Sequence, residues 1–287
     1  MTDALDEVPV DVHADRLTCP DGLEMALDVY RPAAPGGELP GVVICHGFKG
    51  FRTWGMFPHL ARRLAATGRA VALFDFSHNG VGEEDGEFTR LDLFEKQTVR
   101  RHLDDLGTVL DHLTDDAFHE RFGTEPGRVW AVGHSMGGGV AMMRASDDLR
   151  IAGLACLNAV SHFDRVPAEM LGELDTVGHV TIPNARTGQQ MPLGRPWFDD
   201  IASIDLAAVA DEVAVPTLVL QGAEDTTVTP DEGEKLADWI PGNVYFEVPG
   251  GDHTFGAKHP WAGWTPALEF VVEQLDAFVP ACEASGP

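Results

Sequence analysis

The run Gly133-His134-Ser135-Met136-Gly137-Gly138-Gly139 sets a serine between glycines two positions away on each side. It follows the apolar stretch Arg128 to Gly133 and opens into Val140-Ala141-Met142-Met143. A G-x-S-x-G segment between a strand and a helix suits nucleophilic catalysis, because the sharp turn projects the hydroxyl from the sheet edge. A Cβ at either flanking position would collide with the neighbouring strand and helix, and glycine fills both. The competing reading, a glycine-rich turn that merely caps a helix, does not need this pairing of strand and helix around the serine.

A serine hydroxyl is a poor nucleophile until a base takes its proton, and in this arrangement the chain order is Ser, then Asp or Glu, then His. Asp225 follows the run PTLVLQ, and His253 follows Val244 to Val248 in Pro249-Gly250-Gly251-Asp252-His253. Both stand at carboxyl ends of strands, where open α/β sheets place their sites. Glu224, Asp231 and Asp252 compete with Asp225; a tight turn would point Glu224 away, and Asp231 after Pro230 resembles a helix start. Among the other histidines, His102, His112 and His119 are expected to be solvated on a polar helix face. His59, His162, His179 and His259 lack a strand-end position, and His13 lies in an N-terminal arm.

A tetrahedral intermediate also needs donors for its oxyanion. The backbone N–H of Phe48, in Cys45-His46-Gly47-Phe48-Lys49-Gly50 after GVVIC, is the natural donor, paired with that of Met136. His46 is expected to order this loop. No G-x-x-x-x-G-K-[ST] is present, so the loop is no phosphate cradle, and H-E-x-x-H is absent. Neither a metal nor a cofactor is expected.

The elements that must position these residues alternate along the chain. Strands are predicted at Leu23 to Tyr30, Gly41 to Cys45, Ala70 to Phe76, Arg128 to Gly133, Ile151 to Leu157, Pro216 to Gln221 and Val244 to Val248. Several are continuous in Val, Leu, Ile and Phe, as strands covered on both faces are. Val99, Leu103, Leu106, Leu110 and Leu113 make an apolar helical stripe; Phe57, Leu60 and Leu64 a second; Leu268, Val271, Val272, Leu275 and Phe278 a third. This alternation implies a single α/β domain over residues 1–287, with a mostly parallel sheet between helices. From about 161 to 200 the rhythm breaks, with Asn184 to Gly188 resembling a turn between two short extended segments. Either this is an irregular excursion or a small cap; long structureless loops without a task are uncommon, which favours the cap.

The charge balance excludes other roles. With 46 acidic and 20 basic residues the net charge is −26. A chain so acidic has no basic face for nucleic acid and no electrostatic anchor for an anionic membrane. Only Lys49, Lys96, Lys235 and Lys258 are lysines, a surface that fits either adaptation to high salt or an ordinary acidic protein. Cys19, Cys45, Cys156 and Cys282 do not form a disulfide framework. The acidic start MTDALDEVPVDVHAD is unlike a signal peptide, and no window is apolar enough to span a membrane, so a cytoplasmic monomer or homodimer is expected.

The segments HGFKG, FDFSHNGVGEEDGEF, GHSMGGG, LQGAEDTTVTP and GGDHTF together resemble those of the α/β-hydrolase superfamily, and within it the bacterial cinnamoyl and feruloyl esterases, near dienelactone-hydrolase-like enzymes. The resemblance implies an α/β-hydrolase fold with a small lid inserted after the sixth strand. It implies Ser135 as nucleophile, His253 as base, Asp225 as its orienting acid, and Phe48 and Met136 at the oxyanion. Dienelactone hydrolases proper use cysteine, and Ser135 departs from that. The expected activity is cleavage of small-molecule carboxylic esters through an acyl-serine. The same machinery could serve acyl transfer or peptide and amide cleavage, and a non-catalytic binding module is the remaining alternative. Trp54, Trp197 and Phe255 are candidates to line an apolar substrate pocket.

Overall fold

A computed structural model describes residues 8–84 and 86–281, apart from the side chain of Pro126. Eight strands form one sheet: β1 (Val10–Thr18), β2 (Glu24–Pro32), β3 (Leu39–Cys45), β4 (Ala70–Phe74), β5 (Thr124–His134), β6 (Ile151–Leu157), β9 (Thr217–Gly222) and β10 (Val244–Val248). Their spatial order is β1-β2-β4-β3-β5-β6-β9-β10. From β4 to β10 every pairing is parallel, whereas β1 pairs antiparallel with β2, and β2 with β4. The buried runs Gly41–Cys45 and Ala70–Phe74 occupy the sheet interior, as continuous β-branched and apolar sequence requires.

Helices α1 (Phe57–Ala66) and α10 (Pro266–Phe278) cover one face, burying Phe57, Leu60, Leu64, Leu268, Val271 and Leu275 against Val42, Ile44, Val71 and Leu218. The other face carries α3 (Val99–Leu113), α4 (Asp116–Phe122), α5 (Met136–Asp147), α8 (Leu206–Asp211) and α9 (Pro230–Trp239) over Val43, Ala72, Ala131 and Leu154. Short α2 (Leu91–Phe94) precedes α3. The Thr98 hydroxyl caps α3 by accepting the Arg101 N–H.

The buried face of α3 runs through Val99, His102, Asp105, Leu106, Val109 and Leu113. His102 is therefore fully buried against Phe76 and not solvated, because a helix repeat of 3.6 turns it inward beside Val99 and Leu106. His112 and His119 are likewise half-buried, and His119 Nδ1 lies 2.7 Å from Thr124 Oγ1.

Between β6 and β9 the chain forms a 3₁₀ turn at Ala168–Met170, α6 (Gly172–Thr176), an antiparallel hairpin of β7 (His179–Pro183) and β8 (Gln190–Gly194), and α7 (Arg195–Ile201). The hairpin closes where expected: Asn184 and Gln189 pair, and the Asn184 side chain accepts the Arg186 N–H. Arg186 and Gln189 donate to the carbonyls of Gly86 and Phe88, docking the hairpin beside the 86–89 loop. Cys19, Cys45 and Cys156 are free and buried; Cys282 and the first seven residues lie outside the described residues. Among the described residues no helix is long and apolar enough to cross a membrane.

Candidate active site

Ser135 occupies the single residue between β5 and α5, with φ 55° and ψ −123°. That positive φ in a residue with a Cβ is a strained conformation, which the surroundings must impose. They do so through hydrogen bonds: its N–H donates to Leu157 O at 3.0 Å, and its carbonyl accepts Gly138 and Val160 N–H at 3.0 and 3.2 Å. The flanking glycines are sterically required. A Cβ on Gly133 would overlap Gly137 and Gly138 at the start of α5, and one on Gly137 would strike the carbonyls of Cys45 and His46 at the end of β3.

Asp225 follows β9 and is almost fully buried. Its Oδ1 accepts the N–H groups of Thr227 and Val228 at 2.7 and 2.9 Å, leaving Oδ2 for His253 Nδ1 at 2.8 Å. Burial alone would push the carboxyl pKa up. The His253 bond and charge, with the Val228 and Thr227 amides, outweigh burial and hold it below the usual carboxylate range. The ionised Asp225 therefore fixes the proton on Nδ1 of His253 and leaves Nε2 as an acceptor. The competing carboxylates are elsewhere: Glu224 and Asp231 are exposed, and Asp252 accepts the N–H groups of Thr254 and Gly256.

The loop after β3 is anchored from below. His46 is buried, donates from Nδ1 to Gly47 O at 2.9 Å and accepts the Phe76 N–H at Nε2. Burial lowers its pKa, so it is a neutral strut that orders the loop. Arg52, just beyond, donates to Asp28 and Asp75 at 2.9 and 2.7 Å. Lys49, at φ 58°, reaches Pro183 O at the end of β7, while the Phe48 ring packs against Phe94 and Trp197. Neither the Phe48 nor the Met136 N–H has a hydrogen-bond partner among the described residues.

Ser135, Met136, Phe48 and His253 all border one cavity of about 700 Å³. Its apolar wall includes Val160, Phe163, Ile182, Leu193 and Trp197, and its polar wall Arg165, Thr227, Thr229 and Glu232. Of the three aromatic candidates, Trp197 lines this cavity. Phe255 does not: it is fully buried in the core under α10. Trp54 does not either, because it stacks on His259 and packs against Phe57. A second cleft of about 570 Å³, ringed by Arg16, Glu24, Glu83 and Arg90, contains none of the candidate residues.

Three functional neighbours escaped sequence reasoning. Asn158, fully buried with φ 45°, accepts the Gly222 N–H at 2.6 Å and donates to the carbonyls of Asp252 and His253 at 3.0 Å. It clamps the end of β9 to the loop bearing His253. His134 donates from Nε2 to the same His253 carbonyl at 2.7 Å, and burial pushes its pKa down to about 3. Glu232 is buried beside Arg165 and Ser161. The one available signal was a glutamate in the first turn of a helix that follows a site-bearing strand.

Comparison with known proteins follows the same outline. The family model described as Hydrolase_4, serine aminopeptidase S33, matches residues 40–194, just over half of the chain. Est1E from Butyrivibrio proteoclasticus, solved with ferulic acid bound, superposes with a TM-score of 0.69 at 22% identity, covering 92% of this chain and 97% of that one. The esterase domain of a Rhodothermus marinus protein gives 0.64 at 16% identity over 93% and 97% of the two chains. Dienelactone hydrolase from Anabaena variabilis ATCC 29413 gives 0.61 at 16% over 94% and 96%. At these identities the likeness establishes the fold, the α/β-hydrolase fold. No curated protein sequence matches this one.

Proposed function

Because the chain belongs to the Hydrolase_4 family, serine aminopeptidase S33, and is a hydrolase of the α/β fold, we propose that it cleaves carboxylic esters through an acyl-serine intermediate. The observation that carries the proposal is the Asp225–His253 pair, 2.8 Å apart, at the cavity that Ser135 borders. His253 Nε2 takes the Ser135 proton as Oγ attacks the ester carbonyl carbon. The N–H groups of Phe48 and Met136 donate to the developing oxyanion, a contribution worth roughly 100-fold or more per donor. Collapse breaks the bond to the alcohol oxygen, which leaves with the proton from His253. Water then attacks the acyl-serine by the same base, releasing the acid and restoring Ser135. The 161–200 insertion, through Ile182, Leu193 and Trp197, acts as the cap over the acyl group.

The apolar wall suits uncharged apolar or aromatic acyl groups. Est1E, with ferulic acid bound, makes hydroxycinnamate esters the first aromatic substrates to try. The family description also favours a second reading, aminopeptidase activity. An aminopeptidase needs an acceptor such as a carboxylate for the substrate ammonium, and the one carboxylate on the cavity wall among the described residues, Glu232, is already engaged by Arg165 and Ser161. The test is a panel of p-nitrophenyl esters of graded length, methyl hydroxycinnamates and aminoacyl p-nitroanilides, with Ser135→Ala as control. Ester turnover abolished in the control supports the proposal; turnover of the anilides alone overturns it.

A further inference from the structure

We infer that Arg165, held by Glu232, is a positioning residue for the turn that carries Asp225. Asp225 keeps Oδ2 on the imidazole only while the amides gripping Oδ1, those of Thr227 and Val228, keep their places. Val228 is secured from within the core: its side chain is fully buried and its carbonyl accepts Gln221 Nε2 at 2.9 Å. Thr227 is exposed, and among the described residues the donor to its carbonyl is Arg165 Nη2, from the cavity side.

The guanidinium is itself fixed. Its Nη1 donates to Glu232 Oε1 and Oε2 at 3.0 and 2.9 Å, and Oε2 also accepts the Ser161 N–H and hydroxyl at 3.1 and 3.0 Å. Glu232 stands in the first turn of α9, where the helix amides favour a negative charge. Its burial would raise the carboxyl pKa, but Arg165 and Ser161 hold it below the usual range, so the pair is ionised at neutral pH. His162 Nδ1, 3.4 Å from Glu232 Oε2, is a further titratable group against it. Ser161 and Arg165 lie where the chain leaves β6 for the insertion. The pair therefore couples the root of the insertion to the acid turn, across the wall of the cavity that holds Ser135 and His253.

Two readouts test this on the full chain, and only the second rests on the esterase proposal. In proton NMR, the His253 Nδ1–H bonded to Asp225 gives a low-field resonance, identified by its loss in Asp225→Asn. Arg165→Met should shift or broaden that resonance. With p-nitrophenyl acetate, a substrate too short to span the cavity, Arg165→Met should lower kcat by roughly 10- to 100-fold with KM little changed, since displacements of about 1 Å at reacting groups cost that much. Arg165→Lys, able to reach one of the two partners, should recover part of the loss. Glu232→Gln keeps the volume and the Ser161 bonds, should give a smaller drop in the same direction, and carries the test if Arg165→Met does not fold. A variant with the wild-type resonance and kcat, altered only in melting temperature or in KM, overturns the inference. A chain that turns over no ester but loses the resonance in Arg165→Met would defeat the esterase reading and leave this one standing.

Discussion

Replacing Asp225 by asparagine tests the arrangement at its most exposed point. The substitution is isosteric, and the asparagine Oδ1 would still be claimed by the N–H groups of Thr227 and Val228. Its Nδ2 then faces His253 Nδ1, at the position of an oxygen now 2.8 Å away. Two donors cannot share that contact, so the imidazole moves its proton to Nε2 and accepts at Nδ1. Nε2–H has no lone pair for the Ser135 proton, and the lost charge no longer stabilises an imidazolium. Inverting the tautomer in this way costs roughly 10³- to 10⁴-fold in kcat, equal to about 4–5.5 kcal/mol of barrier. Stability has a separate sign. The folded pKa of Asp225 is lowered, so its contribution is present above the ordinary carboxylate pKa of about 4 and is lost as pH falls through the folded value. The deficit of Asp225→Asn relative to wild type should thus be full at neutral pH and shrink in acid. Initial rates on p-nitrophenyl acetate and urea unfolding at several pH values measure both. An asparagine variant within tenfold of wild-type kcat would refute the reasoning.

Three further outcomes are expected. Ser135→Ala should abolish turnover with little change in melting temperature, whereas Ser135→Gly, relieved of a positive φ of 55°, should gain about 1 kcal/mol in thermal or urea unfolding. His102 is fully buried, its two ring nitrogens have no hydrogen-bond partner among the described residues, and burial pushes its pKa down to about 3. His102→Leu should therefore stabilise the fold by about 1–3 kcal/mol at neutral pH in urea titrations. Because the unfolded imidazole binds a proton below about pH 6.5 and the folded one does not, wild-type stability should fall as pH drops from 6.5 toward 3, and His102→Leu should flatten that slope. Finally, 46 acidic against 20 basic residues should make the melting temperature rise as salt screens repulsion; a flat response would remove the high-salt interpretation.

The interior parallel strands were legible because burial on both faces writes itself as short apolar runs, and Ile151–Leu157 matches the observed β6 residue for residue. Val244–Val248 also matches β10 residue for residue, but that strand ends the sheet and is largely exposed, so its signal was its β-branched and aromatic content and not burial. β1 was not legible. VDVHADRLT alternates weakly and has Leu17 as its one buried residue, since an edge strand covers little apolar surface. Its place is fixed by antiparallel pairing with β2, from Val10 against Pro32 to Thr18 against Glu24. The error at His102 has the same origin: the Val99–Leu113 stripe locates the helix, but a histidine one step from the stripe can turn inward when the sheet beneath leaves room.

The candidate site divides along a similar line. Ser135, Asp225 and His253 were visible because strand ends and small-residue turns are local features. Asn158, Arg165 and Glu232 act on other residues' backbones, and such a partner depends on three-dimensional register that no spacing encodes. Asn158 illustrates the limit: its amide bonds the Gly222 N–H on one side and the Asp252 and His253 carbonyls on the other, segments more than sixty residues away in sequence. An asparagine just after a strand reads as an ordinary turn residue, and its φ of 45° is what a turn would show. Only the meeting of two remote loops converts it into a clamp. Residues that position the site are therefore the ones whose substitution should separate kcat from stability.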